Sequence, residues 1–446
     1  MTFLQKLSRP IDNSPLVVFR IFFGFLLFAE SIGAILTGWV KSMFIKPEFT
    51  FSHIGLEWLQ PLPGNGMYFY FVAMGILGLL VMAGWRYRIA LSLFSILWAG
   101  VYFMQKESYN NHYYLLLLVC LIMLCMPAHR YASLDARFNP GIKRLTMPQW
   151  CSWAMILQMG IVYFFATVSK LTPDWVNGTF INLLLSGTDH LPFAEKLFSE
   201  HWFHLFIAWS GMIFDFVVIP LFLWKRTRTA AFICSIVFHI FNSIVLQIGI
   251  FPFFALSFIV FFYPPDTIRR IFLRKKPVAD TTIALPEQNS LLLYVFLPYF
   301  LIQLLLPLRH FTIKGDVLWT EEGHRLSWRM MLRQRYGYAQ FKVVDRKSGE
   351  TTFYALNKLT TKQQHFATTK PDGMWQMAQR IKSEFGAKGQ DVSVYVIGKV
   401  AVNDSGYHHL VDPNADLANL PWDYFWHNDW ILLYDENWKP QLATKN

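Results

Sequence analysis

Lys170 stands where an apolar run meets a polar one, in Tyr163-Phe164-Phe165-Ala166-Thr167-Val168-Ser169-Lys170-Leu171-Thr172-Pro173-Asp174-Trp175. On a helix, Tyr163 and Lys170 are two turns apart and share a face. Two readings are open. The side chain either snorkels, with its stem on lipid and its ammonium among headgroups, or is held out of water as a base, because desolvation disfavours the charged amine. Nearby in chemistry is Tyr109-Asn110-Asn111-His112-Tyr113. An asparagine there can cap a helix and leave His112 in its first turn, as a structural hydrogen-bonder or a proton-transfer group.

His239 and Asn242 lie three residues apart in Phe238-His239-Ile240-Phe241-Asn242, hence on one helix face. Arg20, Glu30 and Asp215 are ionisable residues inside apolar runs. Such groups are costly in lipid, so they face the bundle interior, as internal glue or around a functional cavity. Farther on, Pro307-Leu308-Arg309-His310 precedes Arg325-Leu326-Ser327-Trp328-Arg329-Met330-Met331-Leu332-Arg333-Gln334-Arg335. This basic run is either solvated and lipid-facing or a set of guanidinium forks for a carboxylate.

The elements that must position these groups follow from composition. Of 446 residues, 54% are hydrophobic, 17% aromatic and only 15% charged, far from the roughly 25% charge of soluble domains. Disordered, collagen-like and small disulfide-stapled classes are excluded, and a membrane protein with a water-facing appendage remains. Nine apolar segments approach the roughly twenty residues that span a bilayer core. They are Leu16–Val40, Met67–Trp85, Ile89–Phe103, Tyr113–Met126, Trp150–Ser169, Trp202–Trp224, Thr229–Gln247, Phe251–Tyr263 and Leu291–Leu308. The fourth and eighth are short. The first has no cleavage-type sequence and reads as a retained anchor.

The net charge of +11 does not point to nucleic acid, because the charges punctuate the apolar runs. Alternating the loops puts Lys6, Arg9, Arg86, Arg88, Arg130, Arg137, Lys143, Arg144, Lys225, Arg226, Arg228 and the Arg269–Lys276 run on one side. The positive-inside rule makes that side cytoplasmic, with the N-terminus, and places everything after Arg309 outside. The four cysteines lie in apolar stretches without metal spacing, so neither a structural disulfide nor a metal site is expected.

The fold expected is thus mostly α. It is a polytopic bundle of about nine transmembrane helices over 1–308, followed by an extracytoplasmic α+β domain with β-hairpins over 309–446. In that second part, Gln340–Asp345 and Thr351–Leu356 flank Lys347-Ser348-Gly349-Glu350, and Val392–Val402 precedes Asp404-Ser405-Gly406, which reads as two hairpins. Asp372–Phe385 has helical spacing between them.

Several of these strings together resemble one family. Val18-Phe19-Arg20-Ile21-Phe22-Phe23-Gly24-Phe25-Leu26, Asn110-Asn111-His112, the Tyr163–Val176 run, Phe238-His239-Ile240-Phe241-Asn242-Ser243 and Pro307-Leu308-Arg309-His310 are similar, in this order, to the vitamin K-dependent γ-glutamyl carboxylase family, within the horizontally transferred transmembrane domain group. The resemblance implies a membrane enzyme that oxygenates reduced vitamin K, a menaquinol- or phylloquinol-type hydroquinone, to its epoxide with O2. The strong base formed then serves to carboxylate glutamate with CO2. It implies Lys170 as the base toward the hydroquinone, assisted by Asn111 and His112, with Tyr163, His239 and Asn242 around the cofactor. It gives Arg333, Arg335 and Trp328, in the S-W-x-M-M stretch, to the glutamate of a protein or peptide substrate. The physical reading agrees, since a γ-carbon acid is too weak for any side-chain base and cofactor oxidation must supply the driving force.

The partners expected are membrane lipid, quinol and a Glu-containing chain, with no nucleic acid, and a bacterial cytoplasmic membrane fits better than the endoplasmic reticulum. The chain has no cysteine beyond Arg309 and ends soon after Trp430, so the outer part of the animal enzymes is expected to be reduced. The alternatives are a quinol epoxidase without protein carboxylation, a transporter or lipid-binding module of the same fold, and a membrane acyltransferase around His112 or His239.

Overall fold

The computed structural model describes residues 2–187, 194–283 and 285–434. The chain divides into two units, Met1–Leu306 with Trp328–Met330, and Pro307–Ser327 with Met331–Asn446.

In the first unit, seven helices among the described residues are long and apolar enough to cross a membrane. They are α1 (Ser14–Leu36), α2 (Gly66–Ala83), α3 (Tyr87–Met104), α5 (Trp150–Ser169), α6 (His201–Leu223), α7 (Arg228–Val245) and α10 (Asn289–Thr312). Between α3 and α5 lies α4 (Asn111–Cys125), of 15 residues. The eighth expected segment is a short helix, α8 (Phe251–Phe261), followed by α9 (Pro265–Phe272) at a bend of 119°. Pro264 and Pro265 remove two successive N–H donors, so the helix cannot continue through them.

The helices meet through small residues. α1 packs on α2, where a Cβ on Gly24 would lie 2.3 Å from the Met82 backbone nitrogen and one on Gly78 2.6 Å from that of Phe28. Close backbone approach of this kind replaces the hydrophobic drive that lipid does not provide. α2 stops at Gly84, whose φ of +65° makes a left-handed cap. A Cβ there would also strike Arg20 Nη1 at 2.2 Å. Arg20 is fully buried and donates through Nη2 to the Ala132 carbonyl at 2.6 Å, which is the internal-glue role.

The second unit contains one three-stranded antiparallel sheet of order β2-β1-β3, from β1 (Arg335–Asp345), β2 (Thr351–Tyr354) and β3 (Val392–Val402). Alternation along β1 and β3 buries Phe341, Val343, Val394 and Val396. Helices α11 (Thr361–Thr369) and α12 (Pro371–Gly386) pack against these strands and contribute buried Phe366, Met374, Met377 and Ile381 to the same core. The first expected hairpin is present. The second is corrected: β3 pairs along its whole length with β1, from Arg335↔Val402 to Asp345↔Val392. After Asp404-Ser405-Gly406 the chain returns only as a single bridge, Val400↔His408. Helix α11 was not foreseen; its start is set by a capping box of Thr360 and Gln363.

Candidate functional site

Lys170 is the C-terminal cap residue of α5, and the chain leaves at Leu171 toward Pro173. Its Nζ forms a buried ion pair with Asp215 Oδ2 of α6, with side chains 10% and 6% exposed. The ammonium also lies 5.1 Å from the Trp175 ring centroid. Trp175 is itself fixed by donating Nε1 to the Ala208 carbonyl at 3.0 Å. Lys170 thus faces a carboxylate from the neighbouring helix and does not snorkel alone. In a low-dielectric bundle either partner alone would be an uncompensated charge.

One side of α7 carries the next group. His239 Nε2 and the Tyr163 hydroxyl share a hydrogen bond of 3.1 Å, joining α7 to α5. The Phe214 ring stands edge-on to both, at 6.1 Å from Tyr163 and 6.0 Å from His239. Asp215, the neighbour of Phe214 in sequence, is near enough to Tyr163 for electrostatic interaction. Tyr163 and His239 line a small, partly open cleft whose other walls are mostly apolar, including Met159, Phe222, Phe258 and Phe262. Ser235, one turn before His239, lines it too. Ser235 Oγ and His239 Nδ1 are buried without a hydrogen-bond partner among the described residues. Buried polar atoms are seldom left so, and these two are free to bond a polar atom that enters the apolar cleft.

The Asn-His pair sits as the capping argument requires. Asn110 Oδ1 accepts from Tyr113 N at 2.8 Å, placing Asn111 and His112 in the first turn of α4. His112 stacks on Phe251 at 3.7 Å, and Phe251 meets His239 edge-on at 6.2 Å. One ring thus separates the two histidines. Asn111 is turned elsewhere. Its Nδ2 donates to the Arg329 carbonyl at 2.9 Å, and its Oδ1 accepts from the Tyr109 hydroxyl at 2.9 Å. Among the described residues no hydrogen bond or ion pair joins Lys170 to Asn111 or His112. Asn242 is partly exposed and does not line the cleft.

Trp328 is fully buried and stacks on Tyr114 at 5.0 Å. Four non-glycine residues around it, Glu321, Leu326, Trp328 and Met331, have φ between +53° and +62°, a costly conformation that the surroundings must impose.

In the second unit the guanidinium forks are already filled. Arg333 donates through Nε to Glu321 Oε1 at 2.6 Å and through Nη2 to Glu321 Oε2, while Nη1 meets His324 Nε2 at 3.0 Å. Arg335 spends its donors on the Leu318, Trp319 and Thr369 carbonyls and on Glu321. Burial alone would raise the Glu321 carboxyl, but Arg333, Lys370, His324 and Arg335 hold it well below the ordinary carboxylate range. Burial lowers Arg335 to about 10. The bidentate recognition expected of these arginines is thus directed at an internal carboxylate, and Glu321 went unnoticed in sequence although two nearby arginines entering a core require such a partner.

A helical bundle that holds a buried lysine–aspartate pair beside a largely apolar cleft, continued by an α+β unit, defines a polytopic membrane protein with a polar site inside its bundle. A family model described as HTTM domain matches residues 8–267, and one described as vitamin K-dependent gamma-carboxylase, lumenal domain, matches residues 288–437. The chain belongs to the vitamin K-dependent gamma-carboxylase family. No solved structure matches it.

Proposed function

We propose that the protein oxygenates reduced vitamin K and couples this to carboxylation of glutamyl residues. The observation that carries the proposal is the cleft itself, in which Tyr163, Ser235 and His239 supply the polar atoms of an otherwise apolar wall, with Tyr163 interacting electrostatically with Asp215 of the Lys170–Asp215 pair. Ser235 Oγ and His239 Nδ1, both buried without a partner among the described residues, would be the groups to hold a quinol oxygen there. Bound hydroquinone, oxidised by O2, would supply the strong base that the γ-carbon requires.

The chain's residues do simpler work. Lys170 and Asp215 act as one base, because a proton moved along their contact leaves a neutral amine beside a protonated carboxyl. Phe214, next to Asp215, packs against Tyr163 and His239 and holds the cleft wall in place. Phe251 fixes the plane of His112, and Asn111 anchors the Arg329 carbonyl so that Trp328 stays on Tyr114. Apolar walls keep water from the base. Of the residues given to the substrate, Arg333 would receive a glutamate carboxylate only in exchange for Glu321; Arg335 and Trp328 would support that loop from within. The second unit lies outside the cytoplasm in this reading, as the loop charges require, in a bacterial cytoplasmic membrane.

The test uses purified protein in detergent with reduced vitamin K, O2 and labelled bicarbonate, following epoxide and label fixed into a glutamyl peptide. Both products support the proposal, and neither rejects it. Epoxide without fixed label would establish a second reading, a quinol epoxidase alone, which the closed Arg333–Glu321 fork favours.

A further inference from the structure

Three helices of the first unit bring four uncharged polar side chains together inside the apolar bundle. The Tyr299 hydroxyl of α10 donates to Gln158 Oε1 of α5 at 2.5 Å, and Gln303 Nε2 of α10 donates to the Tyr114 hydroxyl of α4 at 2.9 Å. Tyr299 and Gln303 lie one turn apart on α10, and Tyr299 interacts electrostatically with Tyr114, so the four form one cluster. Lipid would select the reverse arrangement. Gln303 is 3% exposed, whereas its neighbours Ile302 and Leu304 are 53% and 41% exposed, and Gln158 is fully buried. Polar groups turned inward from an apolar span mark a functional interior. A π turn at Leu292–Phe296 comes just before Tyr299; a wide turn of this kind rotates the residues that follow it and recurs at functional sites.

Each amide uses only part of its capacity. Gln158 Nε2 and Gln303 Oε1 are buried without a hydrogen-bond partner among the described residues. An amide has a donor end and an acceptor end, so turning either one over exchanges the free atom and still leaves one free. Trp328, whose ring stacks on Tyr114, adds a third such atom, its Nε1. Buried polar atoms are costly unless something bonds them. The cluster therefore offers two free N–H donors and one free carbonyl oxygen, on residues that carry no charge.

We propose that this cluster binds CO2, the co-substrate for which the quinol cleft has no place; the inference rests on the carboxylation reading above. CO2 carries partial negative charge on its two oxygens and partial positive charge on its carbon. The Gln158 and Trp328 N–H groups suit the oxygens, and Gln303 Oε1 suits the carbon. Bicarbonate does not suit the cluster, because an ion taken out of water needs a counter-charge that none of these five residues supplies. CO2 needs none, and it dissolves in lipid. In the carboxylation step the γ-carbanion of glutamate attacks the CO2 carbon, a C–C bond forms as one C=O electron pair moves onto oxygen, and the N–H donors meet the charge that develops there. Water in the same place would protonate the carbanion, so a site that takes CO2 instead protects the reaction.

The whole protein in detergent is equilibrated with ¹³CO2, and its infrared spectrum is compared with that of the same detergent without protein. The native protein should show a saturable antisymmetric-stretch band distinct from that of CO2 in detergent. Gln158→Met and Gln303→Met, which keep the side chain's length without its amide, should lose the band while melting curves show them folded. During turnover both variants should raise KM for CO2 in label fixation by about tenfold, the scale of one lost hydrogen bond, with a smaller change in KM for the quinol. Binding is read without turnover, so the two readings fail separately. A band lost in the variants supports the site even where the native protein fixes no label, and then carboxylation alone falls. No bound band in folded native protein at saturating CO2, as a cluster filled by water alone would give, or a band undiminished in both folded variants, overturns the proposal.

Discussion

The Lys170–Asp215 contact separates a base from a brace by a double substitution. Asp215→Asn leaves a buried ammonium facing an amide, and Lys170→Met leaves a buried carboxylate without its cation. With side chains 10% and 6% exposed, each single change removes one partner of a desolvated pair and should cost about 3–5 kcal/mol of stability. The double variant Lys170→Met/Asp215→Leu removes both charges and keeps the volume, so its stability should return to within about 1–2 kcal/mol of the native protein. Activity should behave differently. If Lys170 starts the reaction, epoxide formation falls by about 10²-fold or more in Lys170→Met and stays there in the double variant. Lys170→Arg keeps the ion pair but cannot deprotonate, so it should be folded and inactive, and small amines should partly rescue Lys170→Ala. The assays are epoxide formation by chromatography and thermal unfolding of the same detergent samples. A double variant that regains near-native turnover with its stability would refute the reasoning, since it would show that the pair only holds α5 to α6.

His112→Phe should keep the stack on Phe251 and the native melting temperature while epoxide formation falls by about 10²-fold, the scale of a lost acid–base group; parallel loss of stability would make His112 structural. Ser235→Ala should raise KM for the quinol by about tenfold with a smaller change in kcat, the scale of one lost hydrogen bond, and an unchanged KM would remove Ser235 from the cofactor's surroundings. An impermeant thiol reagent on intact cells should modify a cysteine placed at Lys399 and not one at Arg274; the reverse pattern would overturn the orientation. The folded Lys370 amine, lowered to about 8 from 10.5, binds less proton than the unfolded chain between those values. Stability should therefore rise by roughly 2–3 kcal/mol as pH goes from 8 to 10.5. The rise should be absent in Lys370→Met, as hydrogen exchange across α11 and α12 would show.

Helix positions were readable because each depends on a local run. Trp150–Ser169 is set by its apolar length, and Asn110 places the start of α4 by a contact three residues long. The stop before Pro264-Pro265 was readable, since two missing donors cannot sit inside a span, whereas the helix that follows at Pro265–Phe272 has too few apolar residues to announce itself. Strand partners were less accessible. Val392–Val402 alternates as any half-buried strand does, and nothing local says that its partner is Arg335–Asp345, far earlier in the chain, and not the residues just after the turn.

The same division explains what the site kept hidden. Lys170, His112 and His239 announce themselves by type in an apolar setting, but their partners are chosen by packing. Asp215 could be recognised as an acid needing a cation, yet 45 residues separate it from Lys170, and only the approach of α6 to α5 makes them a pair. Arg333 and Arg335 illustrate the complementary case. Their spacing is that of a strand entry, which takes Arg335 into the core, where a fork must close on something internal. A guanidinium read from sequence carries a demand for a carboxylate without saying whose. In the second unit that demand is met from inside, by Glu321 for Arg333 and Arg335 and by Asp372 for Arg325.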